Sequence, residues 1–227
     1  GGTACAETGV GRYNHIDRGP KPQHLLYGTL WDTTKTVADS WNYAVEALGY
    51  PPAGITGEQL KNEFGKTMDV IAQDLFPHLP LDQRDILMEA CCRYEDEFLE
   101  ELEVPPLYPD IQETIATLSK NHRLFIVSNC QSGYIELFLR KTGLEKYITD
   151  IECFGNTKKT KGENIRLVIG RNIPGSTCYV GDTAGDQTAA AYAGIPFIFA
   201  SYGFGQVSEE DSFASISSIR ELPDLVK

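Results

Sequence analysis

The alternation of apolar and polar positions divides the chain into three stretches. Up to residue 24, Gly, Pro and polar groups dominate, and only Tyr13, Ile16 and a few small residues are placed to pack. Leu25-Leu26-Tyr27-Gly28-Thr29-Leu30-Trp31 is then a brief apolar run broken by glycine. From Val37 the period becomes helical, with Val37, Trp41, Ala44, Val45 and Leu48 on one face and Gly49 placed to end the helix. A second helical region is predicted over about 57–102. Met68, Ile71, Ala72 and Leu75 make one stripe, and a long helix opening at Leu81 carries Ile86, Ala90, Tyr94 and Phe98. Strand-like alternation is absent between Thr36 and Glu103, so this stretch reads as an all-helical unit.

After Pro105-Pro106 the pattern changes to alternating strand and helix. Asp110 and Glu113 stand in capping-box spacing before a helix with Ile111, Ile115 and Leu118 on its apolar face. Leu124-Phe125-Ile126-Val127 is continuously apolar, as a parallel strand buried on both faces requires. A helix over 133–141, a strand over 148–154, a helix over 163–171, a strand over 177–180, a helix over 186–193 and a strand over 196–200 continue the series. Alternation of this kind predicts an α/β fold, a doubly wound (Rossmann-like) parallel sheet core with an inserted all-helical cap. Residues 1–35 and 105–227 are assigned to the core, with 1–24 atypical of it, and 36–104 to the cap. In such sheets ligands bind at the carboxyl ends of the strands, where Ser128 and Asp182 stand.

Charge narrows the partners. The 227 residues carry 32 Asp and Glu against 20 Lys and Arg, a net charge of −12, which argues against a nucleic-acid or anionic-membrane surface. An anionic ligand would therefore need local positive charge. Six cysteines form no C-x-x-C pair and most lie in apolar runs, so free thiols of a reducing compartment are expected. No run of the sequence reaches the length of a membrane span, and the expectation is a cytoplasmic protein, monomeric or homodimeric.

The candidate chemistry centres on Val180-Gly181-Asp182-Thr183-Ala184-Gly185-Asp186. A strand ends in a glycine turn and a helix starts, leaving two carboxylates one turn apart. Mg²⁺ takes oxygen ligands, usually one or two carboxylates with water and substrate phosphate, so Asp182 and Asp186 form a candidate metal site. Asp182 also suits a helix N-cap. Lys66, after Phe64-Gly65, is a further lysine placed to reach a ligand. His15, His24, His78 and His122 have no ligand spacing.

Four segments in order resemble the motifs of the haloacid dehalogenase (HAD) superfamily. They are Tyr27-Gly28-Thr29-Leu30-Trp31-Asp32-Thr33, Ser128-Asn129, Thr160-Lys161-Gly162-Glu163-Asn164-Ile165 and Gly181-Asp182-Thr183-Ala184-Gly185-Asp186. The helical insert is similar to the small cap of the phosphoglycolate phosphatase-like subgroup, and Tyr202-Gly203-Phe204-Gly205 resembles its C-terminal loop. The resemblance covers about residues 25–227. It implies an Mg²⁺-dependent phosphatase acting through an aspartyl-phosphate on a small phosphorylated metabolite, of the phosphoglycolate or sugar phosphate type. It assigns catalytic roles to Ser128, Lys161 and Asp182, phosphate binding to Ser128, Asn129, Lys161 and Thr29, and the metal to Asp182, with Asp186 supporting it or binding Lys161. Lys161 is preferred to Lys158 and Lys159 because Gly162-Glu163-Asn164-Ile165 opens a helix as in the family.

The first motif departs from that pattern. Counting back from Gly28, the nucleophile position is Leu25 and the acid position is Tyr27, where the family has aspartates. Leucine offers no nucleophile, and a phenol titrating near ~10 is a poor proton donor and base. Pro20 and Pro22 stand where the motif's strand should begin, and prolines remove ladder hydrogen bonds from a central strand. Arg12-Tyr13-Asn14-His15-Ile16 would suit the start of that strand, which makes Asp17 a rival nucleophile. The alternatives are a catalytically dead relative that binds phosphate or a partner and, as a minor alternative, a 2-haloacid dehalogenase.

Overall fold

The fold is taken from a computed structural model, which describes residues 24–27, 30–172 and 175–226. In chain order the elements are β1 (His24–Tyr27), α1 (Thr34–Ala47), α2 (Gly57–Lys61), α3 (Met68–Leu75), α4 (Leu81–Glu101), α5 (Ile111–Leu118), β2 (Arg123–Ser128), α6 (Tyr134–Thr142), β3 (Ile148–Cys153), α7 (Phe154–Thr157), α8 (Lys161–Asn172), β4 (Thr177–Gly181), α9 (Ala184–Ala193), β5 (Phe197–Ala200), β6 (Ala214–Ile216) and α10 (Leu222–Leu225).

The strands form one six-stranded sheet in the order β3-β2-β1-β4-β5-β6, and every pairing is parallel. The continuously apolar strands explain why. Within β2, Leu124 and Ile126 join Ile115, Phe138, Cys178, Val180 and Ile198 in a cluster on one face. Phe125 and Val127 join Ile165, Val168, Tyr179, Ala190, Phe197 and Phe199 on the other. Successive side chains point to opposite faces of a strand, so a run apolar at every position needs helices on both. Helices α5 and α6 cover the first face, α8 and α9 the second. The sheet was legible as a doubly wound one, and its central strand was not. β1 lies between β2 and β4 and starts at His24, and the two prolines lie outside the described residues.

Between β1 and α5 the chain builds a second apolar cluster from α1 to α4: Val37, Trp41, Ala44, Val45, Leu60, Ile71, Phe76, Leu87 and Cys91 are buried there. Two details differ from the periodic reading. Leu48 is exposed beyond the end of α1. On α4 the most buried stripe runs Leu87, Cys91, Glu95 and Leu99; of the expected Ile86, Ala90, Tyr94 and Phe98, Ala90 is buried and Tyr94 packs against the cluster, but Ile86 is 58% exposed. The expected stripe was as regular as the real one, and what hid the real one is that it contains a carboxylate.

The predicted capping box at Asp110 is not formed. Asp110 adopts a left-handed conformation (φ 65°) with no side-chain bond to the helix, and its carboxylate meets Arg220 at 3.1 Å. Among the described residues, Cys91, Cys92, Cys130, Cys153 and Cys178 are free thiols. No helix of the described residues is long and apolar enough to cross a membrane.

Candidate active site

Three strand ends and two helix starts converge at the carboxyl edge of the sheet. Ser128 closes β2, and Asp182 follows β4 directly. Thr183 is the N-cap of α9, its hydroxyl accepting from the Asp186 amide at 3.1 Å while the Asp186 side chain reaches back to the cap amide, a reciprocal capping box. The same device opens α8, where the Thr160 hydroxyl accepts from the Glu163 amide at 3.3 Å and Glu163 accepts from the Thr160 amide at 2.8 Å. That fixes Lys161 at the first turn of α8 and turns it inward.

Lys161 and Asp186 are 7% and 2% exposed and form a 2.6 Å ion pair. The other Asp186 oxygen accepts from the amides of Asp182 and Thr183, each at 3.1 Å. Burial works against the charge on Asp186, but the Lys161 ammonium and the Thr183 donors outweigh it and hold the carboxyl below its usual range. Both oxygens are therefore committed. Asp186 orients the lysine and the turn, and of the two roles expected for it, supporting the metal or binding Lys161, the ion pair is the one present here. Lys158 instead lies over the Phe154 ring.

Asp182 is 4% exposed, and one of its oxygens accepts from the amides of Phe204 and Gly205 at 3.0 and 3.3 Å. Those bonds require glycine. A Cβ on Gly203 would collide with the Asp182 side chain, and one on Gly205 with the Asp182 carbonyl. The loop that resembled the family's C-terminal loop is thus a clasp on Asp182.

A cavity of about 140 Å³ opens above this edge. Ser128, Asn129, Lys161, Asp182, Thr183 and Asp186 line its floor, and Trp31, Trp41, Phe64, Met68, Ile71, Lys66 and Glu95 are among its other lining residues. The helical unit touches the floor at Gly65, whose carbonyl accepts from Asn129 Nδ2 at 2.7 Å, while the Asn129 Oδ1 is buried without a partner. Phe64 and Phe204 rings meet there at 6.1 Å. The Lys66 ammonium is held by Glu63 and Asp74, each at 2.8 Å, and so is already neutralised.

The sequence reading missed Glu95. It accepts from the Trp41 indole N–H at 2.8 Å, is 5% exposed, and burial pushes its carboxyl up to about 8. The signal was present: the four-residue spacing of Leu87, Cys91, Glu95 and Leu99 puts a glutamate on an apolar stripe.

The first motif is placed differently from the count along the sequence. The register sets Leu25 opposite Leu124 and Cys178, four residues before Ser128 and Asp182, and Tyr27 opposite Ile126 and Val180. Thr29 and Asp17, assigned to phosphate binding and as rival nucleophile, lie outside the described residues.

A parallel sheet with serine, lysine and carboxylates at its carboxyl edge, beside a helical unit, defines an α/β protein. Residues 26–200 match the family model described as haloacid dehalogenase-like hydrolase, and the chain belongs to that family. The phosphoglycolate phosphatase of Vibrio parahaemolyticus is 26% identical over 222 residues, covering 88% of this chain and 93% of that protein. That of Agrobacterium fabrum is 29% identical over 194 residues, covering 80% of each. Among solved structures, a haloacid dehalogenase-like hydrolase from Bacteroides fragilis superposes with a TM-score of 0.75 at 25% identity, over 89% of this chain and all of that one.

Proposed function

We propose that the chain is a HAD-type phosphomonoester hydrolase of the phosphoglycolate phosphatase-like kind, and that its cavity takes a small phosphorylated metabolite. The observation that carries this reading is the convergence of Ser128, the Lys161–Asp186 pair and the clasped Asp182 on one cavity floor. A phosphoryl group on that floor meets the Ser128 hydroxyl and Asn129 as polar partners and the Lys161 ammonium as a point charge. Because Asp186 holds Lys161 in place, little reorganisation is needed when the anion arrives.

Asp182 is the residue that would hold Mg²⁺, which supplies charge screening to the phosphoryl group when bound. Among the described residues no cluster of three His, Cys, Asp or Glu side chains forms a protein-only metal cage. A single buried carboxylate completed by phosphate oxygens and water suits Mg²⁺, whereas a structural metal would need the larger set. The helical unit is read as a cap, and its Phe64-Gly65 segment, in contact with Asn129 and Phe204, keeps bulk water from the floor.

A second reading, phosphate binding without turnover, is favoured by one specific observation: Leu25 and Tyr27 stand where the family's two aspartates belong. One experiment separates them. Hydrolysis of an aryl phosphate with Mg²⁺ is measured beside inorganic phosphate binding, with Asp182→Asn as control. Turnover abolished by the control supports the hydrolase and directs the search for the nucleophile to the undescribed N-terminal residues, Asp17 first. Binding without turnover supports the second reading. If neither is found, both fall.

A further inference from the structure

Among the described residues, Glu95 is a buried carboxylate that forms no ion pair. Its neighbours are Trp41 on α1, Cys91, Cys92 and Asp96 on its own helix, Cys130 and Gln131 after β2, and Tyr134 on α6. None is positively charged, and the nearest charge, Asp96, is of the same sign. Its hydrogen bonds all run inward: the Trp41 N–H and the Gln131 side chain favour the ionised form. Burial outweighs these donors and favours the neutral acid, so the ionised form would need a countercharge that none of these neighbours supplies. Charges buried in proteins are ordinarily paired, and Glu95 lines the cavity whose floor carries Lys161. The two lysines of the cavity are already taken, Lys161 by Asp186 and Lys66 by Glu63 and Asp74.

We propose that Glu95 is a specificity residue for the organic end of the substrate, and that this end carries an ammonium group: the cavity is made for a zwitterionic phosphomonoester of an amino alcohol. Phosphate would lie on the floor, and the ammonium against Glu95, with the aromatic side chains of Trp31 and Trp41 among the lining residues. A carboxylate-bearing phosphomonoester would bring its second anion towards Glu95 in a lining whose two lysines are already paired. The inference rests on the phosphate-binding reading of the cavity and departs from the substrate in the relatives' names.

With the carboxyl raised to about 8, most of Glu95 is protonated at pH 7, and an ammonium ligand displaces that proton to solvent. Titration calorimetry of the full chain at pH 7, in two buffers of different ionisation enthalpy, tests this with inorganic phosphate, O-phosphoethanolamine, propyl phosphate and phosphoglycolate. The expected result is O-phosphoethanolamine binding at least about tenfold more tightly than propyl phosphate, the value of a charge-assisted hydrogen bond. It should also release up to about one more proton than the propyl ester. Glu95→Gln removes both differences. Equal affinities for the amine and the propyl ester, or tighter binding of phosphoglycolate, overturn the inference while leaving phosphate binding standing. Failure of all four ligands overturns the phosphate reading and this inference with it. The wild-type comparison decides the matter even if the variant does not fold.

Discussion

Replacing Glu95 by glutamine should stabilise the protein at neutral pH. The glutamine oxygen can still accept from the Trp41 indole, and the volume is nearly unchanged, so packing and the 2.8 Å hydrogen bond are retained. What changes is the proton balance. The folded carboxyl titrates at about 8 and the unfolded one near 4.5, so between these values the folded chain keeps a proton that the unfolded chain has lost. A group whose pKa is raised on folding favours the native state fully below its unfolded pKa and loses that contribution as pH rises towards the folded value. Each unit is worth about 1.4 kcal/mol, so wild type should lose about 2.5 kcal/mol relative to Glu95→Gln between pH 5 and pH 7, once the partial titration near 4.5 is included. For a chain of this length that corresponds to about 5–10 °C in melting temperature. Urea denaturation of both proteins at pH 5, 6 and 7 measures it. A stability difference independent of pH, or a variant less stable at pH 7 than at pH 5 relative to wild type, refutes the reasoning.

Other substitutions test the floor and its supports. Lys161→Met strands Asp186 as a buried charge and should cost about 3–5 kcal/mol at pH 7. The depressed Asp186 pKa stabilises wild type above the ordinary carboxylate range, so the difference from Lys161→Met should shrink as pH falls through that range. Lys161→Met combined with Asp186→Asn should recover most of the loss in denaturation. Gly205→Ala drives a methyl group into the Asp182 carbonyl and should cost about 1–3 kcal/mol and weaken phosphate binding, measured by melting and calorimetry. Asn129→Ala removes the bond to the Gly65 carbonyl, and faster limited proteolysis near Gly65 is the expected outcome, with unchanged cleavage counting against Asn129 as a latch.

The parts that were legible in the sequence are those with a strong local code. Leu124 to Val127 and Thr177 to Gly181 are apolar at successive positions, which only a strand covered on both faces explains, and the sheet followed from them. Lys161 was chosen among three neighbouring lysines because Gly162-Glu163-Asn164-Ile165 opens a helix as in the family, and the Thr160–Glu163 capping pair is what opens that helix. The rest depends on tertiary context. Ile86, Ala90, Tyr94 and Phe98 make as good a stripe as Leu87, Cys91, Glu95 and Leu99, and what α4 packs against buries Ala90 and the second set while leaving Ile86 exposed. Asp110 had the residues of a capping box, yet Arg220, far along the chain, takes its carboxylate. The Asp182 clasp required knowing that Phe204 and Gly205 come back to β4, which no local pattern states. Counting from Gly28 gave Leu25 the nucleophile position, and the register, which sets it opposite Leu124 and Cys178, could not be read from that count.

The central claim is that Ser128, Asn129, Lys161 and Asp182 form a phosphoryl site. Crystals soaked in tungstate, an anomalous scatterer with the shape and charge of phosphate, test it most directly. The account predicts one strong anomalous peak on the cavity floor, within hydrogen-bond reach of Ser128 Oγ and Lys161 Nζ, and its loss in Ser128→Ala crystals. A peak elsewhere on the molecule, with the floor empty and the Lys161–Asp186 pair undisturbed, would contradict it.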